Sequence, residues 1–275
     1  LDNSNKVIKY SAALAVTRAS RSNNVPEADK VVAILAQAIA EKAQMRVASV
    51  GFSKDVAKTQ IRTASTSRKG VVVEASCDRV ADIVERTLVG SIAPDVIVIN
   101  EMLSDGIPMD IIGIFKRDDR TKGIKLILAA EDVDKATELY GSKVDAIIPA
   151  KFSGEDLTVK VIELLQDVDT GARADMVSVD AGNALHRLAG NRVNIEGALQ
   201  SAGEQLNRGD AVAIPAAGAL GEAGGAAQLD LLIAQLAADG SNELKIACAT
   251  GAGKVLGRLG TISAEQFAAM MKVSA

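Results

Sequence analysis

The chain has 275 residues, of which 48% are hydrophobic and only 2% aromatic, and its formal net charge is −4. This length allows two buried cores, built from small aliphatic side chains because aromatic ones are scarce. Lysine and arginine are scattered among the acidic residues, so we expect no nucleic-acid partner. No apolar run reaches the roughly 20 residues of a membrane span and no signal segment opens the chain, so we expect no membrane partner.

The N-terminal segment reads as the middle of a helical pattern that begins at Leu1 without a methionine. We therefore expect the sequence to be part of a longer chain. The two cysteines, Cys77 and Cys248, lie far apart in apolar sequence, which predicts reduced, buried thiols rather than a disulfide framework. They leave the cellular location undecided, with the cytoplasm favoured.

Small residues recur at matching places in the helical ends of the chain. Three C-terminal segments, 179–185, 214–220 and 246–252, superpose at offsets of 35 and 32 residues, and a fourth copy lies at 10–16. Amphipathic segments at 28–43, 195–206 and 229–238 lie between the copies. Helices with this period bury their apolar faces by stacking on neighbouring pairs. The pattern of an acidic turn, a basic residue and Ala-Ala-x-x-Ala-Leu resembles HEAT repeats, the α-solenoid family; an alanine-rich helical bundle is the alternative.

A different pattern occupies the middle of the chain, where short β-branched runs alternate with amphipathic helices. Five strands are predicted, at 47–50, 71–73, 96–99, 126–128 and 146–148, and a last helix at 155–165. Such alternation predicts a parallel sheet with helices on both faces. The predicted domains are therefore helical repeats at 1–44, an α/β domain at 45–168 and helical repeats at 169–275. Because helix 28–43 reads as the first of a pair and 175–188 as the second, the α/β domain is predicted to be inserted within one repeat.

The segment 93–104, Ala-Pro-Asp-Val-Ile-Val-Ile-Asn-Glu-Met-Leu-Ser, resembles the centre of a response-regulator receiver domain. Segments 126–132 and 144–149 match the fourth and fifth strands of that family. The resemblance implies a five-stranded, doubly wound sheet of the flavodoxin-like type. It also implies a phosphoacceptor aspartate after the third strand, magnesium-binding acids after the first, a hydroxyl after the fourth and a lysine at the end of the fifth.

None of these roles is filled by the residue that stands there. Gly51 and Phe52 occupy the metal-binding positions, Asn100 the phosphoacceptor position, Ala129 the hydroxyl position and Pro149 the lysine position. An asparagine lacks the carboxylate nucleophile that an acyl phosphate requires. We therefore predict a pseudo-receiver that is not phosphorylated and has no catalytic, cofactor-binding or metal-binding residues.

Four loop acids offer a rearranged acidic site at the carboxyl edge of the predicted sheet, where open α/β folds bind ligands. They are Glu101, Asp105, Glu131 and Asp132. Acids on loops are usually solvated, and we favour that interpretation. Lys151 lies two residues beyond the lysine position and is interpreted as a surface residue.

Three further features in the C-terminal third favour structural roles. Gly251–Lys254 is similar to the end of a phosphate-binding loop, but Cys248 and Val255 stand where a glycine and a hydroxyl are required, so we favour close helix packing. The segment Gly221–Gly225 is predicted to be a connecting turn. The single histidine, His186, has no Cys or second His nearby and is predicted to lie at a helix surface.

The sequence as a whole predicts a protein that is not an enzyme but a regulatory or scaffold protein, binding protein partners or itself. The docking surfaces would be the solenoid and the receiver face formed by 133–140, 145–148 and 155–165. The alternative is an atypical signalling receiver that responds to a phosphodonor or a small ligand.

Overall fold

The computed structural model describes residues 1–3, 6–20, 22–56, 60–67, 70–89, 92–261, 263, 266 and 268. They form two compact units. The α/β unit runs from Ala43 to Gly171, and the helical unit contains Lys6–Lys42 and the described residues from Ala172 onward. The sequence placed these boundaries at 45 and 168.

The strands of the α/β unit are β1 (Met45–Val50), β2 (Val71–Cys77), β3 (Val96–Asn100), β4 (Lys125–Ala130) and β5 (Ala146–Pro149). The helices, in chain order, are α1 (Lys6–Ala19), α2 (Ala28–Ile39), α3 (Lys54–Val56), α4 (Arg62–Ser67), α5 (Val80–Leu88), α6 (Pro108–Arg117), α7 (Val133–Tyr140), α8 (Gly154–Leu164), α9 (Thr170–Gly190), α10 (Glu196–Glu204), α11 (Asp210–Ala223), α12 (Ala226–Ala237) and α13 (Asn242–Leu259). A 3₁₀ turn at Gln205–Asn207 follows α10. No helix of the described residues combines the length and apolarity needed to cross a membrane.

The five strands form one parallel sheet in the order β2-β1-β3-β4-β5. This is the flavodoxin-like strand order, and it confirms the predicted five-stranded parallel sheet. Successive residues of β3 point to opposite faces, so Val96 and Val98 enter one core while Ile97 and Ile99 enter the other. All four are fully buried, as expected where helices cover both faces of a sheet.

Asp145 fastens the amino-terminal end of β4 to its neighbours. Its carboxylate accepts hydrogen bonds from Lys116 Nζ at 2.7 Å and from the backbone N–H of Leu126 at 2.8 Å, and Lys125 Nζ lies 3.4 Å away. Burial alone raises the pKa of Asp145, but these hydrogen bonds and the lysine charges outweigh it and lower the pKa below its usual value. The carboxylate therefore stabilises the folded unit as long as it is ionised.

We expect Asp145→Asn to destabilise the α/β unit by about 1–2 kcal/mol at pH 7, because a charge-assisted network is lost. A folded-state pKa below the unfolded value gives a contribution that is present above the unfolded pKa and is lost as the pH falls through the folded one. The difference between wild type and variant should therefore shrink below about pH 4. Urea unfolding at several pH values measures it, and a difference independent of pH would contradict the assignment.

The described residues of the helical unit share one core, in which small residues let helices approach closely. The superposed C-terminal segments lie in α9, α11 and α13. A Cβ atom on Gly221 of α11 would lie 2.5 Å from Cα of Gly251 in α13. Gly221 therefore belongs to a helix contact, and the prediction that it begins a turn is wrong: α11 continues to Ala223 and is capped by Gly224.

Both cysteines are free and buried, as the sequence predicted. Cys77 lies in β2 and Cys248 in α13. Burial raises the pKa of both thiols, that of Cys248 to about 11. Because the thiolate is the reactive form, a raised pKa lowers the reactivity of both thiols at neutral pH.

Candidate functional site

The carboxyl edge of the sheet brings together the positions that the receiver resemblance singled out. Gly51 follows β1, Asn100 ends β3, and Ala129 in β4 is the strand partner of Asn100. Pro149 ends β5 and pairs with Ala130. In an open α/β sheet this edge is the usual place for a ligand, and β1 and β3 flank the point where the strand order reverses.

Both polar atoms of the Asn100 side-chain amide form hydrogen bonds. Its Nδ2 donates to the carbonyl oxygen of Gly51 at 2.9 Å, and its Oδ1 accepts from the backbone N–H of Met102 at 3.0 Å. The carbonyl can only accept and the N–H can only donate, so the two contacts fix the orientation of the amide. Asn100 thus links the loops that follow β1 and β3.

The positions of the metal-binding acids are apolar. Gly51 has a φ of +81°, and Leu103 packs so closely over it that a Cβ atom on Gly51 would lie 2.6 Å from Leu103 Cδ2. Phe52 turns into the core, where it is only 4% exposed. Its ring meets Phe152 edge-on, with centroids 5.9 Å apart and planes at 89°. The side chains of Gly51 and Phe52 supply no oxygen ligand for magnesium.

The remaining two positions also carry no reactive group. Ala129 is fully buried in β4. Pro149 is exposed at the end of β5, and Lys151 beyond it is exposed, in keeping with its interpretation as a surface residue.

The loop acids near this edge accept backbone hydrogen bonds. The Asp105 carboxylate accepts the N–H of Val80 at 2.9 and 3.1 Å, and this contact at the start of α5 lowers the pKa of Asp105. Asp132 caps α7. Glu101 Oε2 accepts the N–H of Glu131 at 3.2 Å. Within the described residues, no three His, Cys, Asp or Glu side chains converge on a metal-binding position.

The helical unit holds the other candidates from the sequence. His186 lies on α9, and its Nε2 is 3.7 Å from Glu222 Oε1 in α11. Glu222 Oε1 also accepts a hydrogen bond from Lys254 Nζ of α13 at 2.5 Å. Lys254 therefore lies on the long helix α13 and forms an ion pair with Glu222. Sequence reasoning missed this pair, although Glu222 and Lys254 occupy equivalent positions of two superposed copies and carry opposite charges.

A surface cleft of about 770 Å³ lies beside β2 and α5. Its lining includes four cationic side chains, Lys54, Arg62, Arg79 and Arg86, together with Asp78, Asp82 and Glu85. Arg79 pairs with Asp105 at 3.7 Å, and Arg86 donates to Cys77 Sγ at 3.8 Å. The sequence did not reveal this cleft because its lining comes from separate helices and a strand.

No protein-family model and no curated protein matches the sequence. Among solved structures, the chain is similar to the response regulator RcsB of Salmonella typhimurium, with 12% identity over 84% of this chain and 97% of that chain and a TM-score of 0.39. A second RcsB structure from that organism gives 11% identity over 84% and 98% at the same TM-score. A structure of RcsB in complex with DNA gives 12% identity over 75% and 98%, again with a TM-score of 0.39. We infer no activity from similarity at this level.

The RcsB–DNA complex nevertheless corrects one prediction. One of these structures is a response regulator bound to DNA, so our expectation of no nucleic-acid partner is withdrawn. The physical reason is that the net charge of −4 is an average over the whole chain, whereas phosphate contacts depend on the local arrangement of lysine and arginine.

Proposed function

We propose that this chain is a non-catalytic regulatory protein. Its receiver-type unit binds partners without being phosphorylated, and its helical unit is a scaffold of stacked, HEAT-like pairs. The observation that carries the proposal is the Asn100 side chain, whose amide lies at the phosphoacceptor position and is engaged at both ends. An amide has no carboxylate oxygen to attack a phosphodonor.

The surroundings of Asn100 support the same conclusion. Magnesium assists phosphoryl transfer by neutralising developing charge, and it binds to oxygen ligands. Leu103 over Gly51 and Phe52 against Phe152 place hydrocarbon where those ligands would be needed. The loss therefore involves both the nucleophile and the metal.

The face formed by α7, β5 and α8 supports a role in protein binding. β5 is an edge strand of the sheet. Leu139 on α7 is 50% exposed and Val159 on α8 is 46% exposed, while Ala136 is the buried residue of α7. Exposed apolar side chains beside an open strand edge are suited to contact with another protein or with a second copy of this chain.

The proposal is tested by incubating the full chain with acetyl phosphate and Mg²⁺ and measuring its intact mass. We expect no adduct, while an authentic receiver treated in parallel gains one phosphoryl group. A stable single-phosphate adduct on the α/β unit would instead support an atypical signalling receiver. Light scattering on the same samples should show a mass above the monomer that acetyl phosphate does not change. A strict monomer at every concentration would contradict self-association.

A further inference from the structure

The chain passes from the helical unit into the α/β unit after Lys42 and returns at Ala172. On the helical side, these two crossings are the end of α2 and the first turns of α9. The last carbonyl groups of α2 have no partner within the helix, so they must be satisfied from outside. Arg208, in the turn before α11, donates to the carbonyl oxygen of Ile39, the last residue of α2, at 3.5 Å.

The Arg208 guanidinium contacts both crossings at once. One of its terminal nitrogens donates to the carbonyl oxygen of Glu41 at 2.8 Å, just beyond α2, and to Ser178 Oγ in α9 at 2.9 Å. Its other terminal nitrogen bonds to Asp175 Oδ1, also in α9. The side chain of Gln205 completes the set at 3.2 Å. Residues on three separate parts of the chain are thus joined by one side chain.

The hydrogen bonds of Arg208 are largely shielded from water. Ser178 is fully buried and Arg208 is only 25% exposed, so water replaces these contacts poorly. The guanidinium charge also faces the carbonyl end of α2, which carries a partial negative charge. A planar group with several N–H donors satisfies acceptors in different directions, and a lysine ammonium does so less well.

The exit after α2 is fixed from the other side as well. Glu41 is 7% exposed. Its carboxylate accepts hydrogen bonds from Lys6 Nζ at 2.7 Å and from Tyr10 Oη at 3.1 Å, and both donors belong to α1. Its side chain is therefore held by α1 while its carbonyl is held by Arg208.

We propose that Arg208 is a latch that couples the two crossings, so that the end of α2 and the start of α9 are held closed together and open together. The Arg208 latch consists of Arg208, Asp175, Ser178 and the carbonyl group of Glu41. Displacing the turn that carries Arg208 breaks the contacts at the end of α2 and at the start of α9 at once.

Amide hydrogen exchange of the full chain tests the latch. In Arg208→Ala, we expect exchange in both segments 36–42 and 172–180 to accelerate at least about tenfold, because local opening no longer breaks the latch contacts. Arg208→Lys should give an intermediate acceleration in the same two segments. Protection of β3 and β4 should not change.

The control is Arg187→Ala, which removes an exposed arginine from α9 and should leave both segments unchanged. Unchanged exchange in either segment, or acceleration in only one of them, would overturn the coupling. An equal rise throughout α11 and α13 would show general destabilisation and would also overturn it. Should Arg208→Ala fail to fold, as judged by circular dichroism, the same comparison in Arg208→Lys decides.

Discussion

Gly221→Leu is expected to destabilise the helical unit by about 3 kcal/mol or more, the upper range for overpacking a core. Even a methyl group at Gly221 would lie 2.5 Å from Cα of Gly251, so the neighbour that must move is backbone. The contact joins the last turn of α11 to the middle of α13, and both helices contribute to the core of the unit. A leucine there forces the two helices apart and exposes apolar surface along their length.

The matched control is Gly253→Leu on α13. Gly253 is exposed, and among the described residues nothing lies within 4 Å of a Cβ atom placed there. Leucine favours a helix over glycine by about 0.5–1 kcal/mol, so this variant should be as stable as wild type or slightly more so. Scanning calorimetry of both variants measures the effect. Equal losses at the two positions would show that close packing at Gly221 is not what the glycine provides.

The sheet could be predicted from the sequence because its signal is local. Each of the five strands is a short, mostly apolar run bounded by loop residues, and alternation with helices leaves few topologies other than a parallel sheet. The prediction at 96–99 differs from β3 by one residue, Asn100. That residue is polar, so the apolar run ended one position before the strand did.

The helix contacts were harder to predict because they depend on residues far apart in the chain. A glycine-rich segment is typical of a turn, which is why Gly221 was assigned to one, although its partner Gly251 lies 30 residues away. The Arg208 latch joins residue 208 to residue 41 and had no signal in local pattern. The Glu222–Lys254 pair had a signal in the sequence, because the two residues carry opposite charges at equivalent repeat positions.

At the candidate site, the residue types could be predicted from the sequence but their contacts could not. The residue types at Gly51, Phe52 and Asn100 could be read from the sequence, and with them the absence of carboxylates at those positions. The packing at these positions could not be predicted, because the Leu103 contact over Gly51 and the Phe52–Phe152 contact exist only in the folded unit. The residues at this edge form a packed junction between loops.

That junction makes Asn100→Asp a sharp test, since it restores the residue type of a phosphoacceptor. We expect the variant to lose about 2 kcal/mol of stability at pH 7, because a carboxylate oxygen would replace the amide donor that now lies 2.9 Å from the Gly51 carbonyl oxygen. Two acceptors would then face each other. The loss should diminish as acid protonates the new carboxylate and restores a donor. Urea unfolding at pH 7 and at lower pH measures both effects.

The same variant should still gain no phosphate from acetyl phosphate and Mg²⁺, since Gly51 and Phe52 provide no ligand to hold the metal beside the new carboxylate. Asn100→Ala is the control for stability: it removes the contact without introducing a charge and should cost about 1 kcal/mol. A stable Asn100→Asp protein would contradict the amide orientation described for Asn100. A phosphorylated one would show that a single replacement restores receiver chemistry, so that the apolar contacts at Gly51 and Phe52 do not block it.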